Sequence, residues 1–82
     1  MPGYRYFVAQ QALEVYAAAE PAEQSRLLRA FELIVGNPEG NTEVVGTLQG
    51  RAIYGRWFGN WLVLYYLDHP IRTVVITDCQ WT

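Results

Sequence analysis

The stretch from residue 51 to residue 78 constrains this chain more than any other. Arg51-Ala52-Ile53-Tyr54-Gly55-Arg56-Trp57-Phe58 and Trp61-Leu62-Val63-Leu64-Tyr65-Tyr66-Leu67 are both rich in aromatic, β-branched and aliphatic residues. Only Gly59-Asn60 separates them, a tight-turn signal between two strands. A third run, Arg72-Thr73-Val74-Val75-Ile76-Thr77-Asp78, follows the short connection Asp68-His69-Pro70-Ile71. The pattern predicts a three-stranded antiparallel meander.

Side chains alternate along a strand. With Gly59-Asn60 as the turn, Phe58 pairs with Trp61, Arg56 with Val63, and Tyr54 with Tyr65. One face then carries Ala52, Tyr54, Arg56, Phe58, Trp61, Val63, Tyr65 and Leu67, joined by Val74 and Ile76. The other carries Arg51, Ile53, Gly55, Trp57, Leu62, Leu64 and Tyr66, joined by Thr73, Val75 and Thr77. Two short helices can cover one face of so small a sheet. The second face is left with Ile53, Trp57, Leu62, Leu64 and Tyr66, an apolar patch of the kind that marks a contact surface. These five are the expected partner-binding residues.

The first half of the chain changes period. Tyr4-Arg5-Tyr6-Phe7-Val8 has strand composition. Ala9, Ala12, Leu13 and Tyr16 then recur at helical spacing, and Ala17-Ala18-Ala19 continues with a strong helix former. Glu20-Pro21 breaks the run, and Pro21 suits the first turn of a new helix. Glu23 places negative charge near that N-terminus, where the macrodipole favours it. The second helix is expected over 22–35, with Leu27, Phe31, Ile34 and Val35 as its buried stripe and Leu28 and Ala30 at the margin. Gly36 is expected to close it in the left-handed conformation before Pro38. Residues 39–47 read as a polar loop with a short extended piece at Glu43-Val44-Val45. The expected fold is α+β: two N-terminal helices on one antiparallel sheet, in the order β-α-α-β-β-β, in a single domain spanning 1–82.

Composition narrows the function. Apolar residues make up 51% of the chain, which argues against disorder, while charged residues reach only 17%, leaving little polar surface. The net charge is −2, opposite in sign to that of a typical non-specific nucleic-acid binder. RNA or the ribosome is therefore a less favoured partner than protein. One cysteine, Cys79, excludes an internal disulfide and reads as a small buried hydrophobe near a strand end. The N-terminal residues lack a signal-peptide pattern, and no apolar run nears the roughly 20 residues a membrane span needs. A cytoplasmic protein without a membrane partner is expected.

The element order at this length resembles the RelE/ParE superfamily of bacterial toxins from toxin–antitoxin pairs. The resemblance runs over nearly the whole chain. It rests on Tyr4 to Val8, Ala12-Leu13-Glu14, Phe31-Glu32-Leu33-Ile34 with Asn37-Pro38, Leu48-Gln49-Gly50, and the hairpin from Tyr54 to Tyr65. Members of that superfamily commonly carry Arg or Lys on the exposed face of the hairpin, and here the matching positions are Gly55, Trp57 and Leu62. Its ribonucleases also place a cation, and often a Tyr, near the end of the last strand, where this chain reads Asp78-Cys79-Gln80-Trp81-Thr82. Arg56 would take over a cationic position if a bulge at Gly59-Asn60 slipped the register by one residue.

RNA cleavage through a 2′-oxygen needs a proton acceptor, a proton donor and cations for the developing phosphorane charge. Arg51, Arg56 and His69 are the catalytic candidates, with Tyr54, Tyr66 and Asp78 as further polar groups. Each also has a plain structural role: His69 in a turn beside Pro70, the tyrosines as packed aromatics, and Arg56 and Asp78 as charges at sheet ends reaching solvent. In the expected register Asp78 lies opposite Trp61. One Cys and one His give no zinc spacing, and no P-loop or dinucleotide motif occurs, so neither metal nor cofactor is expected. The resemblance implies a toxin-fold protein that acts by binding protein: an antitoxin segment, a second copy of the chain as a homodimer, or a cellular target. The alternatives are a ribosome-dependent mRNA endoribonuclease with a rearranged site, a topoisomerase inhibitor, and a stand-alone structural or accessory homodimer.

Overall fold

The hairpin forms where the turn signal put it. In the computed structural model, which describes residues 3–82, β1 (Arg5–Val8) is followed by α1 (Gln10–Ala18) and α2 (Pro21–Gly36). Four strands follow: β2 (Glu43–Leu48), β3 (Arg51–Phe58), β4 (Trp61–Asp68) and β5 (Thr73–Trp81). Phe58 pairs with Trp61, Arg56 with Val63 and Tyr54 with Tyr65, as the alternation requires. Gly59 takes a φ of 63°, the left-handed value that a two-residue turn demands and that glycine adopts without penalty.

The sheet has five strands in the order β1-β5-β4-β3-β2. The short extended piece expected near Glu43 is a full edge strand, antiparallel to β3. The expectation of a wholly antiparallel sheet needs one correction: β1 joins the meander parallel to β5, with Tyr6 beside Val74 and Phe7 beside Val75. A hairpin forces an antiparallel pair, but β1 meets β5 only through the helical crossover and the whole meander, so nothing local sets its direction.

The alternation places the core. Val63, Tyr65, Val74 and Ile76 are fully buried on the inner face, against Ala12 of α1 and Leu27, Ala30, Phe31 and Ile34 of α2. Each large side chain so buried contributes roughly 1.5 to 3 kcal/mol. The stripe of α2 is the expected one, with Ala30 moved from its margin to its centre. On α1 the small Ala12 faces the sheet, while Leu13, expected in the stripe, is 47% exposed. The end of α2 also differs from expectation. Gly36 is the last helical residue, and Asn37 closes the helix with a negative φ of −154°, donating its N–H to Ile34 O and Leu33 O.

Two bulges break the ladders, one between Val44 and Gly46 on β2 and one where β5 passes Leu64 and Tyr65. The second absorbs Thr77, whose hydroxyl donates to Leu64 O at 3.1 Å. Beyond it the faces of β5 exchange. Cys79 therefore pairs with Val63 in the core, and Asp78 pairs with Leu64 on the outer face. This corrects the expected place of Asp78: the residue opposite Trp61 is Trp81.

Candidate functional site

Both helices pack on the inner face, and among the described residues no helix covers the outer one. Gly55 pairs with Leu64, and Trp57 with Leu62, so the positions at which the resemblance implied cations lie together on that uncovered side. They are apolar, and one of them is closed. A Cβ added at Gly55 would meet Val45 Cγ1 at 3.0 Å, Leu62 Cδ1 at 3.4 Å and Leu64 Cδ2 at 3.4 Å. Val45 is the residue that the β2 bulge leaves unpaired. Its side chain fills the space that a side chain at 55 would need. Trp57 beside it is 51% exposed.

The patch extends across the sheet. Phe7, Val75 and Tyr66 stand side by side on the outer ends of β1, β5 and β4. Carrying the hairpin register one step past Tyr54 and Tyr65 adds Ile53 to the same row. All five residues expected to bind a partner, Ile53, Trp57, Leu62, Leu64 and Tyr66, thus share this face. Phe7, which pattern reading assigned to neither face, adds to it and is 60% exposed. The signal for Phe7 was present in the alternation of Tyr4 to Val8, but it needed the β1–β5 register to be read.

The catalytic candidates are divided. Arg56 stays on the inner face, because the bulges lie elsewhere and the hairpin register does not slip at Gly59-Asn60. Its Nη1 donates to Asn37 O at 3.2 Å, and its guanidinium lies 5.1 Å from the Phe58 ring centroid. It thereby fastens the loop after α2 to the sheet, as does the Tyr65 hydroxyl, which donates to Pro38 O at 2.9 Å. Burial pushes the Tyr65 hydroxyl pKa up, so it is a fixed donor at neutral pH. Arg51 pairs with Asp68 at 3.5 Å and lies over the Tyr66 ring. His69 is exposed in the β4–β5 turn, and a 2.6 Å hydrogen bond joins its Nδ1 to the Tyr4 hydroxyl. Arg51, Tyr54 and His69 line one small cavity of about 170 Å³ with Ala52 and Leu67. Tyr54 itself stacks on Tyr65 at 5.7 Å, on the face opposite Tyr66.

Asp78 is engaged locally: its Oδ1 accepts from the Cys79 N–H and its Oδ2 from Gln80 Nε2. Burial, with a smaller contribution from the Asp78 charge, pushes the Cys79 thiol up to about 12. That thiol stays protonated and unreactive at neutral pH. Among the described residues no group of three His, Cys, Asp or Glu could hold a metal ion, and no helix is long and apolar enough to cross a membrane.

No family model matches the sequence, and no curated protein sequence matches it either. Solved structures do. A chain of the RelBE2 toxin–antitoxin complex from Mycobacterium tuberculosis superposes with a TM-score of 0.85 at 15% identity, covering 99% of this chain and 100% of that one. A chain of the archaeal RelE–RelB complex from Pyrococcus horikoshii gives 0.79 at 14% identity, covering 98% and 96%. A chain of the intact RelBE complex of E. coli gives 0.76 at 13% identity, covering 96% of each. The protein has the RelE-like toxin fold.

Proposed function

We propose that this RelE-like protein acts by binding protein through the outer face of its sheet, without the usual ribonuclease residues. One observation carries the reading: where the superfamily places cations, Gly55, Trp57 and Leu62 form one uncovered apolar patch, closed over Gly55 by Val45. Phosphorane charge needs cations held toward the reacting phosphate. Of the two outer-face arginines nearest the patch, Arg51 is tied to Asp68, and Arg5 lies at the far edge on β1. Two of the structural neighbours come from toxin–antitoxin complexes, which supports an antitoxin as one partner.

The reading predicts the outcome of expressing the protein in bacteria with and without the product of a neighbouring small open reading frame. Any growth inhibition should fall with Trp57→Glu or Leu62→Glu. It should stay within a few fold of wild type with Arg51→Ala, Arg56→Ala or His69→Ala. The alternative, a ribosome-dependent mRNA endoribonuclease, draws on the cavity that gathers Arg51, Tyr54 and His69. A drop of about a hundredfold in RNA cleavage on His69→Ala or Arg51→Ala, roughly 2.7 kcal/mol of transition-state stabilisation, would replace the binding reading with that one.

A further inference from the structure

The occupant of the outer face can be read from how its charges are laid out. Three consecutive rows cross the strands, and a fourth, Gln80, Leu62 and Trp57, lies beyond them at the Gly59-Asn60 end of the face. The middle row is Phe7, Val75, Tyr66 and Ile53, closed at the β2 edge by Gly46, and carries no charge. On one side runs Arg5, Thr73 and Asp68, continued by Arg51 through its ion pair with Asp68 and by Leu48 opposite Arg51. On the other side runs Asp78, Leu64, Gly55 and Glu43. The first flank holds two arginines and one carboxylate that is already paired. The second holds two carboxylates and no cation. Among the described residues Glu43 has no side-chain partner, and neither does Arg5.

We propose that the outer face packs on the same face of a second copy of this chain, related by a two-fold axis running along the Phe7–Val75–Tyr66–Ile53 row. This rests on the reading of the face as a protein-binding surface, and it names the occupant. Rotation about that axis keeps each strand over its counterpart and reverses the rows. The middle row meets itself, apolar on apolar. The arginine flank of each copy meets the carboxylate flank of the other. Arg5 on β1 comes over the line of the partner's β1, beside Asp78 on the neighbouring β5. Arg51 on β3 comes over Gly55 of the partner, beside Glu43 on β2. Symmetry makes each pairing twice.

The other in-plane axis, along the strands, lays each row on itself, so the carboxylate flank would face the carboxylate flank. Like charges brought together in an interface cost several kcal/mol of specificity, and the pattern thus selects one of the two arrangements. The size also fits. Strands about 4.8 Å apart and between four and nine residues long, at about 3.3 Å each, make a face of roughly 550 Å² per copy. The pair would bury on the order of 1,100 Å², the size of a weak, reversible interface. The bulge at Val45 bends the β2 edge and disfavours edge-to-edge joining there.

Sedimentation velocity on the full chain tests the pairing, with circular dichroism melts to verify that each variant folds. Wild type should pass from monomer to dimer across the micromolar range. Arg5→Glu and Asp78→Arg should each weaken the dimer about tenfold or more, because each turns two attractive pairs into two repulsive ones. An equimolar mixture of those two variants should dimerise again, since in the mixed pair both contacts join opposite charges. If Asp78→Arg unfolds the end of β5, Glu43→Arg mixed with Arg51→Glu makes the same comparison. A mixture no tighter than its single variants, or a wild-type monomer at high micromolar concentration, overturns the pairing. A wild-type monomer whose Trp57 becomes shielded from a neutral quencher by a co-expressed antitoxin overturns the pairing and leaves the protein-binding reading standing. A monomer whose Trp57 is shielded by neither overturns both.

Discussion

The two faces of the sheet are built from nearly the same residue types and have opposite fates. The inner face presents Val63, Tyr65, Val74 and Ile76, all fully buried. The outer face presents Leu62, Leu64, Tyr66 and Val75 on the same two strands, one residue out of step. Among the described residues no helix covers them: Val75 is nearly buried by its neighbours in the sheet, Leu62, Leu64 and Tyr66 are half-buried, and Trp57 and Phe7 at the patch margins are more than half exposed, at 51% and 60%. Composition does not separate the two sides. What separates them is which side α2 can reach, and Phe31, Leu27 and Ile34 decide that. A face so apolar and uncovered is the kind of surface that commonly marks a contact site.

The contrast is broken most easily at its strongest point. Phe31→Ala should destabilise the fold by about 3 to 5 kcal/mol, since it removes a fully buried ring and leaves a cavity against the inner face. Trp57→Ala, removing a larger side chain, should cost less than about 1 kcal/mol at low-micromolar protein. Urea melts followed by circular dichroism compare the two, and equal losses would mean that the outer face is packed within the monomer. A finer probe is Gly55→Lys, which places a cation on the apolar outer face. It should lower stability by about 1 to 3 kcal/mol in the same melts, as Val45 is forced aside. A neutral result would show that Val45 swings away freely.

The smallest effect, nil at neutral pH, concerns Cys79, the core residue placed beside outward-facing Asp78. Its folded pKa of about 12 lies above the ordinary value of 9.0. Above about pH 9 the unfolded chain therefore loses this proton while the folded one keeps it. The contribution of Cys79 is fully present below pH 9 and declines as pH rises from there toward 12. Iodoacetamide should leave the native thiol unmodified near pH 8 and alkylate it in urea. Rapid native alkylation would put Cys79 on the outer face and remove the β5 bulge.

Most of this fold was legible because most of it is local. The hairpin register follows from Gly59-Asn60 and alternation, and α2 from Pro21 and the spacing of Leu27, Phe31 and Ile34. What was not legible depends on distant partners. The parallel direction of β1 has no local cause. The bulge at Thr77 left a trace, since simple alternation put charged Asp78 among core positions, a conflict that a one-residue slip resolves. The expectation that Gly36 would close α2 failed because Asn37 satisfies Leu33 O and Ile34 O without a left-handed residue. Among the site residues, the apolar outer set could be read from alternation alone. The gathering of Arg51, Tyr54 and His69 at one end of the sheet needed the β4–β5 turn in three dimensions.

The parallel pairing of β1 with β5 also sets a clock. Arg5 to Val8 hydrogen-bond along residues 73 to 76, with the rest of the chain made in between. At roughly 5 to 20 residues per second, the interval between synthesis of Val8 and of Ile76 is on the order of 3 to 14 s. Throughout it, the first strand has no strand to join, although Phe31 can already meet Tyr6. The β3–β4 hairpin can pair as soon as Asp68 is made, because its register is local. The sheet closes only when β5 slides between β1 and β4, so the row that runs from Phe7 through Val75 to Tyr66 is the last part of the outer face to form.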